Sequence, residues 1–381
     1  MLYFDYAAST PLSENALRSL KNSFESDFAN PHSAHKLSKN IAKKVEGIRC
    51  SFLDFLKAKD QYELYFLSSA TEANNTVIKG LGLNSESKVI FSNSDHPSTV
   101  NPLGFIEKMT GAKLFEMPLC HDATIDFESL EKLVDEATKL VVITHVNNLS
   151  GSLQNILEIA ALIKKKSPKC HVHVDGVQAF SKVEFSLKDS QIDSYSISAH
   201  KICGPKGIAA LYLKKGVTLE PLLHGGNQEH GMRSSTLAYP LVEAFFSAAK
   251  DQFEKLNDAY IKAKELNLFL REELSKLHQN ISYPFSLEST SPYILMIQFK
   301  GISSDILLRH LEMKDVYISS SSACSSKVKG LNPSYLALGI DSKFHKNILR
   351  LSFGMDTTKD EVESLINEFR SVINEIGMLI K

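Results

Sequence analysis

One alternation narrows the possible folds of this chain more than any other feature. Short runs rich in β-branched and aromatic residues recur at Tyr62–Leu67, Lys88–Ser92, Lys113–Met117, Leu140–Val146, His171–Val174, Ser194–Ser198 and Ile208–Leu213. Amphipathic stretches such as Ala70–Leu81, Phe127–Ala137 and Ile156–Lys166 lie between them. Strands separated by helix-length amphipathic segments imply βαβ units, whose crossovers keep neighbouring strands parallel and bury both faces of the sheet. The pattern predicts an α/β protein with a mostly parallel seven-stranded sheet. From about Tyr239 it changes to a long helical segment reaching Leu277. Strand-like Ile294–Phe299, a helix over Asp305–Glu312, strands Val316–Ser319 and Ile348–Phe353, and a final helix from Lys359 follow. The reading is a large domain over residues 12–238 and a smaller α+β C-terminal domain over 239–381, with residues 1–11 at their junction.

At 381 residues and 43% hydrophobic content the chain is long enough for two cores. Its 43 Lys and Arg nearly cancel its 44 Asp and Glu, so no global field favours nucleic acid or an anionic membrane. A charged ligand then has to be captured locally, and a small polar metabolite is expected. Neither a cationic leader nor an apolar run near the roughly 20 residues of a membrane helix is visible, so the protein is expected in the cytoplasm. The five cysteines, Cys50, Cys120, Cys170, Cys203 and Cys324, are scattered and form no CxxC pair. That argues against a disulfide framework and a structural zinc site, and no resident metal site is expected. Only Cys324 has unusual neighbours, the small polar run Ser319–Ser326, which cannot bury it tightly.

In open α/β sheets, ligands gather beyond the carboxyl ends of the strands. The first strand is followed by Ser68-Ser69-Ala70-Thr71-Glu72, where a helix opens with free backbone N–H groups suited to a phosphate dianion. Taken alone it is an ordinary N-cap. After His171–Val174 come Asp175 and Gln178, a carboxylate able to hold a protonated ring nitrogen and an amide able to reach a phenolic oxygen. Ser194–Ser198 runs into Ala199-His200-Lys201 and a Gly/Pro turn, placing a hydroxyl, an imidazole and an amine together. A lone lysine is usually a solvated charge, but one wedged between an apolar strand and a tight turn is open to a burial-lowered pKa and to use as a nucleophile. The groups gain meaning because they recur on neighbouring strands.

The ordered set of these motifs resembles the cysteine desulfurases of the NifS/IscS type, in the class V branch of fold-type I pyridoxal-phosphate (PLP) enzymes. The resemblance rests on Asp5–Pro11, Asn30–Ser33, Ala70–Asn75, His145–Asn148, His173–Asp175, Ser198–Lys201, His224–Gly226, Gly231–Ser234, Ser322–Cys324 and Arg350–Gly354. It implies a Schiff base between Lys201 and PLP, Asp175 at the pyridine nitrogen, and Gln178 and Asn148 at the phenolic oxygen. His96 would stack on the ring and assist proton transfer. Ala70, Thr71, Ser198 and His200 would bind the phosphate, joined by Thr236 from the second subunit of a homodimer. Arg350, with Asn148 beside it, would bind the substrate carboxylate, and Cys324 would take the sulfur of L-cysteine as a persulfide. The implied acceptor is a protein of iron–sulfur cluster assembly or tRNA thiolation. Lys327 and Lys329 would lower the Cys324 pKa, whereas Cys203 packs the turn after Lys201.

Some positions depart from the family's pattern. Leu149 stands where Glu is usual, Gly176 where Ala is common and His230 where Arg is usual. Another class V activity, such as an aminotransferase or a selenocysteine lyase, would share Lys201 and Asp175 without needing Cys324. A non-catalytic scaffold would need none of these groups.

Overall fold

The structure is a computed structural model that describes residues 1–320 and 331–376; Cys324, Lys327 and Lys329 lie outside the described residues. The chain enters through a two-residue strand, β1 (Leu2–Tyr3), and two helices, α1 (Glu14–Ser26) and α2 (Lys36–Phe55). It then alternates through β2 (Tyr62–Leu67), α3 (Ala70–Gly80), β3 (Lys88–Phe91), α4 (Pro97–Thr110), β4 (Lys113–Glu116), α5 (Phe127–Leu133), β5 (Thr138–Thr144), α6 (Ile156–Lys166), β6 (His171–Asp175), β7 (Ser194–Ser198) and β8 (Ala209–Lys214). The strands β2 to β8 form one seven-stranded sheet in the order β2-β8-β7-β6-β5-β3-β4. Only β8 runs antiparallel to its neighbours. Residues 199–208, between β7 and β8, are too few for a crossover helix, so the chain has to return antiparallel.

Strand β6 shows how residue order makes both a core and a site. Val172 and Val174 point into the main core with Phe52, Phe66, Phe180 and Phe245. The alternate residues His171 and His173 face the other way, where both imidazoles meet Ser194 Oγ, at 2.7 and 2.8 Å. Burial pulls each imidazole down to about 3, so both are neutral.

The long helix expected over Tyr239–Leu277 is two helices, α7 (Tyr239–Glu254) and α8 (Leu256–Leu277), broken at Lys255 (φ −110°, ψ 4°). The break has a packing cause. Helix α7 lays Tyr239, Val242, Phe245 and Ala249 on the main core. Helix α8 turns Ala263, Leu266 and Leu270 towards a second core containing Phe4, Leu295, Leu351 and Phe369. No single straight helix serves both.

The second core is completed by β9 (Ile281–Ser282), β10 (Ile294–Phe299), α9 (Ser304–Glu312), β11 (Val316–Tyr317), a short α10 (Pro333–Ala337), β12 (Ile348–Ser352) and α11 (Lys359–Ile376). Strands β12, β10 and β9 form an antiparallel sheet, and β1 pairs in parallel with β11, Leu2 opposite Val316. Among the described residues no helix is long and apolar enough to cross a membrane.

Candidate active site

A cavity of about 470 Å³ opens at the carboxyl ends of β5, β6 and β7, against the N-terminal turns of α3 and α4. It is lined by Ala70, Thr71, His96, Asn148, Asp175, Gln178, Ser198, His200, Lys201 and Arg350, each anticipated from the sequence. Thr236 is exposed and lies outside its own chain's cavity. Ser319 and Ser320 on one side of the Cys324 segment, and Asn332 and Ser334 on the other, also line the cavity.

Lys201 ends the short 3-10 turn Ala199–Lys201 that follows β7. Its Nζ donates to the carbonyls of Ala7 (2.6 Å) and Ala8 (2.7 Å). Burial, reinforced by Lys182 and Arg350, pulls the amine down to about 7 against the opposing pull of Asp5 and Asp175. At neutral pH a large fraction is therefore unprotonated and nucleophilic. Lys182 is itself buried, its Nζ 3.4 Å from Gln178 Oε1, and burial brings it down to about 8. Gln178 turns its amide NH₂ to the Ala7 carbonyl, 2.8 Å away.

Asp175 closes β6 and is buried. One carboxylate oxygen accepts from the Val177 N–H (3.1 Å) and the other from Asn74 Nδ2 (2.9 Å). Arg350, buried on β12, forms a 2.6 Å ion pair with Asp5 through Nη2 and donates to the Asn148 carbonyl through Nη1 at 2.9 Å. These contacts hold the guanidinium plane against the cavity wall, while its buried Nε has no acceptor among the described residues.

At the mouth of α3, Ser69 caps the helix by accepting from the Glu72 N–H at 3.1 Å. Glu72 would repel an anion there, but it is paired with Arg233 Nε at 2.8 Å and accepts from the Ser68 N–H at 2.7 Å. Burial pushes its carboxyl up, and the bonds from Arg233 and Ser68 outweigh that and hold it low. The first N–H groups of the helix are thus left to an anion with the local carboxylate neutralised. His96 caps α4, with Pro97 in the first helical position, where its missing N–H is no loss. Burial holds His96 below its ordinary value, with Asp175 opposing and Lys201 reinforcing.

Sequence reasoning passed over Asn74, Ser98, Tyr195 and the individual roles of Asp5, Ala7 and Ala8. Asn74 follows Ala70 by one helical turn, so the helical period alone placed it on the cavity side of α3. It is fully buried, which for an asparagine signals a bonded role. The departures also have surroundings. Leu149 packs against a cluster that includes Ala123, Phe285, Met296 and Ile348, where a carboxylate would be desolvated. His230, with φ 53°, occupies the left-handed region beside the buried Arg49–Glu229 pair, whose nitrogen and oxygen lie 3.0 Å apart.

An amine and a buried carboxylate at the ends of adjacent strands, in a mostly parallel sheet with an antiparallel β8, are the marks of fold-type I PLP enzymes. Residues 2–365 match the aminotransferase class-V family, and the chain belongs to that family. It is similar to the cysteine desulfurase IscS of Rickettsia typhi, with 32% identity covering 99% of this chain and 92% of that one. Among solved structures it is similar to a NifS-like protein, with TM-score 0.91 and 29% identity over 98% of this chain and 99% of the other. It is also similar to SspA in complex with cysteine, with TM-score 0.81 and 29% identity over 93% and 99%.

Proposed function

We propose that the protein is a PLP-dependent cysteine desulfurase that removes sulfur from L-cysteine, leaving L-alanine and a persulfide on Cys324 for a protein acceptor. The observation that carries this reading is the convergence of a pKa-lowered amine, Lys201, and a buried carboxylate, Asp175, on one cavity. The donor set fits the cofactor. Lys201 would hold its aldehyde, Asp175 would keep its ring nitrogen protonated, and Gln178 and Asn148 would reach its phenolic oxygen. The helix mouth at Ala70 and Thr71, with Ser198 and His200, would take its phosphate, completed by Thr236 of a second copy in a homodimer. Bound PLP supplies an electron sink for negative charge at the substrate Cα.

The chain's own residues supply the rest. Arg350, its plane fixed by Asp5 and the Asn148 carbonyl, clamps the substrate carboxylate. Lys201 moves the proton at Cα, and His96 would lie against the ring and assist. Cys324 belongs to a segment whose two flanks, Ser319–Ser320 and Asn332, both line the cavity. Its thiolate attacks the substrate sulfur, an S–S bond forms, and the C–S electron pair stays on Cβ, which is protonated to give alanine. In this reading residues 12–238 hold the cofactor, and residues 239–381 carry Arg350 and the thiol.

Two measurements on the PLP-reconstituted protein test the proposal. Borohydride reduction followed by peptide mapping should tag Lys201. Cys324→Ser should retain the cofactor absorbance while losing cysteine-dependent sulfide release. A tag on another lysine, or full sulfide release by Cys324→Ser, would overturn it.

A further inference from the structure

His96 lines the cavity, and the bonds at its Nδ1 decide which nitrogen carries the proton. Nδ1 lies 2.8 Å from Ser98 Oγ and accepts from the Ser98 backbone N–H at 3.1 Å. A backbone N–H can only donate, so Nδ1 has to accept. The direction of the hydroxyl is fixed one bond further in. Asn74 places Nδ2 3.0 Å from Ser98 Oγ and 2.9 Å from Asp175 Oδ2. An ionised carboxylate only accepts, so the amide must turn its NH₂ towards Asp175. Its Oδ1 takes Ser196 Oγ at 2.7 Å and His173 Nε2 at 3.0 Å. The reversed amide would set a carbonyl against the carboxylate, so the network admits one orientation. Ser98 therefore accepts from Asn74 and gives its own proton to His96 Nδ1.

We infer that Asn74 and Ser98 are positioning residues that hold His96 as the neutral Nε2–H tautomer, so that its imidazole faces the cavity as a hydrogen-bond donor. The same amide ties His96 to Asp175, so the imidazole and the carboxylate keep a fixed relation. Asn74, Ser98 and Asp175 are all buried, which shields the chain of bonds from competing water. His96 then offers its Nε2–H to the cavity as a hydrogen-bond donor, and taking up a second proton at Nδ1 requires Ser98 to let go. The inference rests on His96 facing the reacting groups, but its test needs neither cofactor nor turnover.

The full-length protein, labelled with ¹⁵N-histidine and free of PLP, is examined by long-range ¹⁵N–¹H correlation, with His96→Gln identifying the signals. The expected spectrum has a pyridine-like Nδ1 and a pyrrole-like Nε2 for His96, because two ordinary hydrogen bonds bias the pair about tenfold or more. In Ser98→Ala and Asn74→Ala the two shifts should move towards each other. A pyrrole-like Nδ1, averaged shifts in the wild type, or a Ser98→Ala spectrum identical to wild type would overturn the inference. If Asn74→Ala does not fold, the other two spectra still decide. A failure of borohydride to tag Lys201 would sink the desulfurase reading and leave this spectrum unchanged, so the two failures are distinct.

Discussion

The phenol ring of Tyr195 stands where residue 176 would carry a side chain: a β-carbon built on Gly176 lies 1.9 Å from Tyr195 Cζ. The Tyr195 hydroxyl meets His145 Nδ1 at 3.0 Å, and its ring packs against Phe185 at 4.8 Å between centroids. The glycine that departs from the family's common alanine is therefore coupled to the tyrosine on the adjacent strand β7. Close contact predicts energetic coupling. Gly176→Ala should lower stability by about 1–3 kcal/mol, the usual effect of overpacking. Adding Tyr195→Leu should make the double variant more stable than the sum of the single effects, read from urea midpoints. Simple additivity would show that the two positions are independent.

Arg49 is the buried partner of Glu229, which also accepts from the Phe66 N–H at 2.7 Å, and Arg49 donates as well to the Leu64 carbonyl. Arg49→Met removes the cation and leaves a desolvated carboxylate under the turn that carries His230. A loss of about 3–5 kcal/mol is expected. Arg49→Met combined with Glu229→Gln should recover part of it in the same denaturation assay.

Acid should weaken the fold well before most carboxylates titrate. His145, His171 and His173 are each brought by burial from 6.5 to about 3. A base whose folded pKa is depressed contributes stability that is present above pH 6.5 and lost as the pH falls towards 3, because the unfolded chain takes up the protons first. Asp95 acts in the opposite sense, raised by burial to about 7, so acidification favours its folded form. Together these groups leave a net loss on the order of 3 kcal/mol between pH 7 and pH 5, and His200, lowered by burial to about 4, adds to it in the same sense. Urea midpoints at the two pH values measure it, and a flat profile would contradict the burial argument.

Lys201 should destabilise the cofactor-free protein, and the pH at which it does so can be stated. Its folded value of about 7 lies below the ordinary 10.5, so between those pH values the unfolded chain binds more protons and stability rises with pH. Lys201→Met should therefore be more stable than wild type below pH 7, by on the order of a few kcal/mol, with the gap closing towards pH 10.5. The same variant should lose all covalent retention of PLP. A gap that does not change with pH would mean the amine is not depressed.

Much of the site was legible because catalytic side chains cluster at strand ends, and strand ends are marked by where a β-rich run stops. Ser194–Ser198 and Tyr62–Leu67 have the limits their residues imply, Lys201 and the mouth of α3 lie just beyond them, and Asp175 closes the run from His171. The long-range partners were less legible. Nothing in Ala7 indicates that its carbonyl receives an amine 194 residues away. His171 and His173 sit in a run that reads as plain strand, yet they form a buried polar seam with Ser194 that only the sheet's register assembles. Helices α7 and α8 read as one because both halves are amphipathic, and the period does not say that each half faces a different core.

Residues 3–10 thread between the two halves of the candidate site. Asp5 grips Arg350, Ala7 and Ala8 receive Lys201, and the Thr10 N–H bonds the His200 carbonyl at 2.9 Å. In chain order this stretch is thus made long before it can be seated, since its partner on β12 follows 345 residues later. Loop closure on that scale precedes any contact that rewards it. A nascent chain released short of β12 would carry Lys201 and the mouth of α3 but lack the seam that ties them to Arg350, so premature termination should yield an inert precursor.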